Sequence, residues 1–315
     1  MVGGATATGK SEVAAELAAE LGGVVISADS RQVYRGLEIG TAQPHARLRE
    51  LAPHRLVGFL SPAASYSAGQ YGDDARRVLA ILAAAGRPAV LCGGTGLYIR
   101  AALRGLAGPH APPRERRNRR EALARRWAVE GAEAMHAELA RVDPGLATRI
   151  HSHDRQRVLR GLEFYAEHAM PLSAAWREAG FSATEERPRG NGVAPAPIAS
   201  LRYRLELSGA ELDRRIAERL AVMLREGLVE EARALRARYG DDTPRSLEAV
   251  GYAELFAHFR GEVRLDEALE RIRVRTRRYA KRQRTWFRNQ DDYAPVPAER
   301  CACSAILSAW RKSQP

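Results

Sequence analysis

A chain of 315 residues, 45% hydrophobic and 28% charged, is long enough to bury a large core and is neither disordered nor fibrous. Three cysteines exclude a disulfide framework, no run approaches the roughly 20 uncharged apolar residues that span a bilayer, and no basic segment with an apolar h-region opens the chain, so a cytoplasmic protein is expected. The formal net charge of +12 favours polyanionic partners such as nucleic acid.

Residues 4–11 read GATATGKS, which satisfies GxxxxGK[ST]. Only Met1, Val2 and Gly3 precede it, where a phosphate loop ordinarily follows a strand of about five residues. The expectation is a start further upstream, with most of the first strand missing. Behind the loop, Val13, Ala14, Leu17, Ala18 and Leu21 form the stripe of an amphipathic helix that Gly22 and Gly23 end. Val24–Ser27 is a short β-branched run, a buried strand, and Asp29 and Ser30 lie just past it. A helix over 69–85 leads to a second buried strand over 89–92, which ends in the turn Gly93, Gly94, Thr95, Gly96. Strands alternating with helices predict an α/β fold, a P-loop NTPase-like doubly wound parallel sheet.

From Pro109 the texture changes. Residues 114–126 carry seven arginines, and the chain is helix-compatible, without a convincing strand, to about 178. This predicts a helical insertion over 109–184 between core segments 1–108 and 185–315. Residues 182–197 are rich in proline, glycine and charge and read as a connector. A strand is expected over 198–207, then a capping box of Ser208 and Glu211. The helix that follows places Arg215 and Arg219 on one face. The rest reads as helical to about Asn289.

Small residues let the amides of Gly4, Ala5, Thr6, Ala7, Thr8 and Gly9 wrap a phosphate, the helix N-terminus adds partial positive charge, and Lys10 adds a full one. Ser11 offers a hydroxyl to Mg²⁺. Of the 50 basic residues only Lys10, Lys281 and Lys312 are lysines, so a compact ammonium is retained at the loop of an arginine-saturated chain. The loop specifies phosphate and not the reaction. ATPases, small-molecule kinases and diphosphate-leaving transferases share it.

The next motif separates them. Residues 27–44, SADSRQVYRGLEIGTAQP, resemble the DSxQxY…GTxKP signature of the tRNA dimethylallyltransferases (isopentenyl-tRNA transferases). The resemblance continues through Pro53 and His54, GGTGLY at 93–98, DPxxAxRIHxxDxxRxxRxLE at 143–163, VGY at 250–252 and TRRYAKRQRTWFR at 276–288. Ala5 departs from the usual Gly-Pro, Thr8 stands where serine is common, and Gln43 replaces the lysine of GTxKP, which removes one phosphate or backbone contact.

The resemblance implies transfer of a dimethylallyl group from dimethylallyl diphosphate to N6 of the adenosine 3′ of the anticodon in tRNAs reading UNN codons, with Mg²⁺ and by a monomer. It implies a diphosphate site of Thr6, Lys10, Ser11, Arg215 and Arg219, although the two arginines also fit a solvated helix face. Asp29 matches the family's catalytic aspartate, as base or hydrogen-bond acceptor to the amine, with a Mg²⁺ ligand as the other reading. Thr95 either hydrogen-bonds near the acceptor base or serves the turn alone. tRNA contacts fall on Asp29, Ser30, Arg31, Gln32, Arg117, Gln156, Arg157, Val158, Leu159 and Arg160. The run Arg114, Arg116, Arg117, Arg119 and Arg120 joins them, as does 275–288 with its interleaved Tyr279, Trp286 and Phe287. His151, His153 and Asp154 read as a helix-entry turn and not a metal site, Cys301 and Cys303 as free thiols, and Cys92 as a core residue. A small-molecule kinase of the same fold is the competing reading.

Overall fold

The apolar runs at Val24–Ser27 and Ala89–Gly93 have no polar face, so they pair inside a sheet where both faces can be covered. Six strands, β1 (Val2–Gly4), β2 (Val24–Ser27), β3 (His54–Arg55), β4 (Ala89–Gly93), β5 (Tyr203–Glu206) and β6 (Ala294–Pro297), form one parallel sheet in the order β3-β2-β4-β1-β5-β6. This computed structural model describes residues 1–106, 113–178, 197–240, 244–290, 292–298 and 302–312. They fall into two compact units, Met1–Leu103 with Ile198–Pro315, and Arg104–Pro197.

Helices α1 (Lys10–Glu20), α2 (Ala46–Leu51), α3 (Ala68–Ala84) and α4 (Gly96–Arg104) fill the first half. The second unit holds α5 (Pro113–Val142), α6 (Pro144–Ala147), α7 (Arg155–His168) and α8 (Leu172–Glu178), with no strand among the described residues. After β5 come α9 (Gly209–Arg225), α10 (Leu228–Tyr239), α11 (Tyr252–Phe259), α12 (Leu265–Arg288) and α13 (Ala302–Lys312). Alternate residues of each strand point to opposite faces of the sheet. Val24, Ile26 and Leu91 join Tyr71, Ile99, Leu255 and Phe287 on one side. Val2, Val25, Val90 and Cys92 join Leu17 of α1 and Ile306 of α13 on the other. The sheet is therefore covered on both faces.

Two strands have no counterpart in the sequence reading. β3 is two residues long, too short to show a period. β6 carries Pro295 and Pro297, which the edge of a sheet tolerates because its outer side has no ladder to complete. The strand expected over 198–207 shortens to β5. Its partners β1 and β6 are only three and four residues long, and Ile198 N donates instead to Leu103 O at 2.8 Å. The Ser208 capping box is half formed: Ser208 Oγ accepts from Glu211 N, while the Glu211 carboxylate turns to Arg214 and Arg215. A complete box stands on α3, between Ser67 and Gln70.

In the helical unit, Met135, Leu139, Val158 and Phe164 are at most 1% exposed and form its core. Gly131 (φ 81°) kinks α5. Glu163, 2% exposed, receives Arg120 at 2.8 Å and Arg160 at 3.0 Å, so one buried carboxylate ties α5 to α7.

Candidate functional site

The phosphate loop leaves β1 and enters α1 with Ala7 (φ 64°) and Gly9 (φ 82°) in the left-handed region. Thr8 Oγ1 and Lys10 Nζ both donate to Ala5 O at 2.9 Å, which closes the loop on itself. The backbone N–H groups of Ala7, Thr8 and Gly9 have no hydrogen-bond partner among the described residues. Unmatched donors at a helix N-terminus are what an anion binds. Burial lowers the Lys10 pKa, and nearby Cys92 and Asp29 pull it back up only in part. A diphosphate would restore the charge that burial disfavours.

Arg219 and Arg215 reach this loop from α9, at opposite ends of the chain's first unit. Arg219 Nη2 donates to Thr6 Oγ1 at 2.7 Å, and burial lowers its pKa. Its place at the loop rules out the solvated-face reading for this residue. Arg215 lies beside the loop, where a β-carbon on Gly9 would meet its Nη1 at 3.7 Å. It is also held by Glu211 Oε1 at 2.7 Å. Hydrogen bonds from Arg214 and Arg215 push that carboxyl down to about 2.

Asp29 follows β2. Its Oδ1 accepts from Arg31 N at 2.8 Å, closing a tight turn. Ser30 N donates to Thr95 Oγ1 at 3.0 Å, and the Tyr279 hydroxyl bonds to the same threonine. Thr95 O meanwhile accepts from Tyr98 N and Ile99 N at the start of α4. Thr95 thus gathers three elements, and its hydroxyl already has partners on two of them. One cavity of about 280 Å³ runs from Thr6 and Arg219 to Asp29, Arg31 and Tyr279. Its apolar wall includes Ile216, Met223, Leu228 and Ile272. It lies where β1 and β2 end, the edge of a parallel α/β sheet that takes ligands.

Other expected site residues fall elsewhere. Gln32 is half-buried: its Nε2 donates to Ala42 O at 2.7 Å and its Oε1 accepts from Ser27 Oγ at 3.0 Å, so it braces the loop. Gln43 is 8% exposed and donates to Tyr34 O at 2.7 Å, so the GTxKP position makes a backbone contact here. Leu159 is half-buried and packs in part against the core of the helical unit, and Val158 is 0% exposed, which corrects the expectation that its side chain touches tRNA. Residues on the inner face of an amphipathic helix cannot do so. Gln156 and Arg157 on α7 are exposed, Arg157 paired with Asp154, the cap of that helix. Arg160 pairs with Glu163 and lies over Phe164.

Arg119 and Arg120 of the basic run are paired with Glu167 and Glu163. The side chains of Arg114, Arg116 and Arg117 lie outside the described residues, as does Cys301. On α12, Phe287 is 2% exposed and Trp286 sits against Gly96, where a β-carbon would come within 2.2 Å of the indole. Phe287 is thus a core residue and Trp286 packs in part against the same core. Cys92 is in the core at 7% exposure, and its thiol is pushed up to about 12 by burial. No group of three or more His, Cys, Asp or Glu that could hold a metal occurs among the described residues.

Glu231 and Gln283 escaped the sequence reading, and Tyr279, expected only among the tRNA contacts, takes a place in the site itself. Glu231 accepts from Ile39 N, Gly40 N and the Tyr252 hydroxyl and so fixes the loop before Thr41. Tyr279 reaches Thr95, and Gln283 reaches both the phosphate loop and the 93–96 turn. The available signal was spacing: Ile272, Thr276, Tyr279, Gln283 and Phe287 are uncharged positions three or four apart in a helix otherwise crowded with arginine.

A phosphate loop and a carboxylate facing one cavity at the end of a doubly wound parallel sheet define a P-loop-type group-transfer enzyme. Residues 32–290 match the profile of the IPP transferase family, and residues 1–55 that of isopentenyl transferases. The chain is 43% identical over 294 residues to a tRNA dimethylallyltransferase of Anaeromyxobacter dehalogenans, spanning 92% of this chain and 91% of that one. It resembles the crystal structure of tRNA isopentenylpyrophosphate transferase from Bacillus halodurans with a TM-score of 0.68 at 31% identity, over 99% of this chain and 94% of the other. A eukaryotic dimethylallyltransferase acting on tRNA shares the fold with a TM-score of 0.80 at 22% identity, over 100% of this chain and 79% of that one. The chain belongs to the IPP transferase family of tRNA-modifying prenyltransferases.

Proposed function

We propose that this chain moves a dimethylallyl group from dimethylallyl diphosphate to N6 of the adenosine 3′ of the anticodon, in tRNAs that read codons beginning with U, giving N6-(dimethylallyl)adenosine. As the C1–O bond breaks, negative charge grows on the bridging oxygen. The free amides of Ala7, Thr8 and Gly9, the Lys10 ammonium and the Arg219 guanidinium hold that charge better in the transition state than before it. Arg215 closes the outer side. The adenine amine is a weak nucleophile because its lone pair is delocalised into the ring. The Asp29 carboxylate accepts its N–H, orients the lone pair and takes up the proton as the N–C bond forms. Thr95 acts through the Asp29–Ser30 turn, holding Ser30 N and the Tyr279 hydroxyl.

The residues fit Mg²⁺. The half-buried Ser11 hydroxyl at the start of α1 is a hard oxygen donor, placed to hold an ion shared with substrate phosphates. The ion, when bound, would neutralise charge on the departing diphosphate.

The target base must leave its stack to enter the cavity. Arg31, Arg273, Arg275 and Arg282 line that cavity and Gln156 and Arg157 stand exposed on the helical unit, supporting contact with an anticodon stem-loop. We assign that role to the insertion, residues 109–184, within a cytoplasmic monomer whose partner is tRNA. Observation and reading meet in the single cavity that joins Thr6 and Arg219 to Asp29. Incubation with labelled dimethylallyl diphosphate and bulk tRNA, followed by nucleoside digestion, should put label on adenosine N6. Turnover of ATP without any requirement for RNA would point to a small-molecule kinase instead.

A further inference from the structure

Gln283 is a buried polar side chain that has no part in the mechanism above, yet it touches both halves of the site. It is 5% exposed on α12. Its Oε1 accepts from Thr6 N at 2.8 Å, and its Nε2 donates to Gly94 O at 3.0 Å. Thr6 belongs to the phosphate loop and carries Arg219 on its hydroxyl. Gly94 immediately precedes Thr95, which holds the Asp29 turn. The fit is close: a β-carbon on Gly94 would lie 2.1 Å from Gln283 Nε2.

The chemistry of the bridge is specific. One end must accept a hydrogen bond and the other must donate one, and among uncharged side chains of this length only the carboxamide does both. An aliphatic replacement would leave a buried N–H and a buried C=O without partners. A carboxylate would set an acceptor against the Gly94 carbonyl, whereas a protonated carboxyl would again donate to it. The bridge also takes Thr6 N out of the phosphate cradle, while the amides of Ala7, Thr8 and Gly9 have no partner among the described residues.

We propose that Gln283 is a positioning residue that sets the spacing between the departing diphosphate and the incoming amine, acting through Thr6 and Gly94 and touching neither substrate. The inference rests on the prenyl-transfer reading. Tests on the full chain with tRNA compare Q283L, Q283A, Q283E, G94A and the double variant G94A/Q283A. Near pH 8, Q283L and Q283E should lose about 10- to 100-fold in kcat, the scale of a small misplacement of reacting groups. KM for dimethylallyl diphosphate and the Kd for inorganic diphosphate should stay within about threefold. The Q283E deficit relative to the unaltered chain should shrink as pH falls and its carboxyl regains a proton. G94A should show the same kcat loss, and the double variant should lose no more than the worse single one, because the truncated side chain leaves room for the new methyl.

Three results would overturn the proposal: diphosphate affinity lost in step with kcat, a Q283E deficit indifferent to pH, or kcat unchanged in Q283L and Q283E alike. If Q283L does not fold, Q283E decides alone, and a Q283E that is unfolded at every pH would assign the amide to stability only. An unaltered chain that binds inorganic diphosphate yet transfers no prenyl group defeats the transfer reading itself, a separate and recognisable failure.

Discussion

The two halves of the cavity are built in opposite ways. The donor half is made of one consecutive loop, residues 4–11, in which the amides of Ala7, Thr8 and Gly9 and one lysine form the cradle, with only Arg219 and Arg215 coming from afar. The acceptor half is made of single residues from distant places: Asp29 after β2, Thr95 after β4 and Tyr279 on α12. Backbone donors survive most side-chain substitutions, whereas an assembly of side chains fails when any one is removed. The donor half should therefore give up binding and the acceptor half should give up rate.

The largest effect is expected from Asp29→Ala. Loss of the proton acceptor should cost about 10²- to 10⁴-fold in kcat, with inorganic diphosphate bound nearly as before in calorimetry. Matching losses of affinity and rate would break the division. Lys10→Ala should cost about 10²- to 10³-fold in kcat/KM, by removing a charge aimed at the leaving group. Unlike Asp29→Ala it should weaken inorganic diphosphate binding, and unchanged affinity would contradict the cradle.

A change of pH sharpens the same contrast without mutation. Burial lowers the Lys10 pKa below its ordinary 10.5. Diphosphate affinity should fall as pH rises through that lowered value, by up to about tenfold per unit once the amine is neutral. Linkage gives the free chain the opposite trend: between the lowered pKa and 10.5 the unfolded state binds more protons, so this group adds stability as pH rises. Titration by calorimetry and thermal melts would separate the two. The smallest effect is expected from Thr95→Val, which removes the acceptor for Ser30 N. It should lower kcat about tenfold, a cost of roughly 1–2 kcal/mol for one misaligned hydrogen bond, and leave diphosphate affinity alone. A loss confined to diphosphate affinity would place Thr95 on the donor side.

Much of the donor half was legible in the linear sequence. A loop that binds through its own backbone needs glycines, a lysine and a following helix in fixed order, and residues 4–21 spell them out. Strands β2 and β4 were equally plain, because buried parallel strands are continuous apolar runs. The edge strands were not, since β3 is two residues long and β6 carries two prolines that only an edge position permits. Reading α7 as an RNA-facing surface failed at Val158, where the helical period turns one of a run of neighbours into the core. The basic runs hid their pairing for a related reason: Arg119, Arg120, Arg275 and Arg277 have carboxylate partners on other helices, which their own sequence neighbourhood does not reveal.

Order along the chain thus determined the strand–loop–helix cradle, the alternation that makes a parallel sheet and the kinship with a prenyl-transferring family. Tertiary structure alone decided that Arg219 meets Thr6, that Thr95 collects Ser30 and Tyr279, and that Gln283 spans Thr6 and Gly94. The physical reason is range. A backbone cradle is satisfied by its immediate neighbours, whereas a hydrogen bond between residues up to 277 positions apart exists only after the sheet has brought its strand ends together.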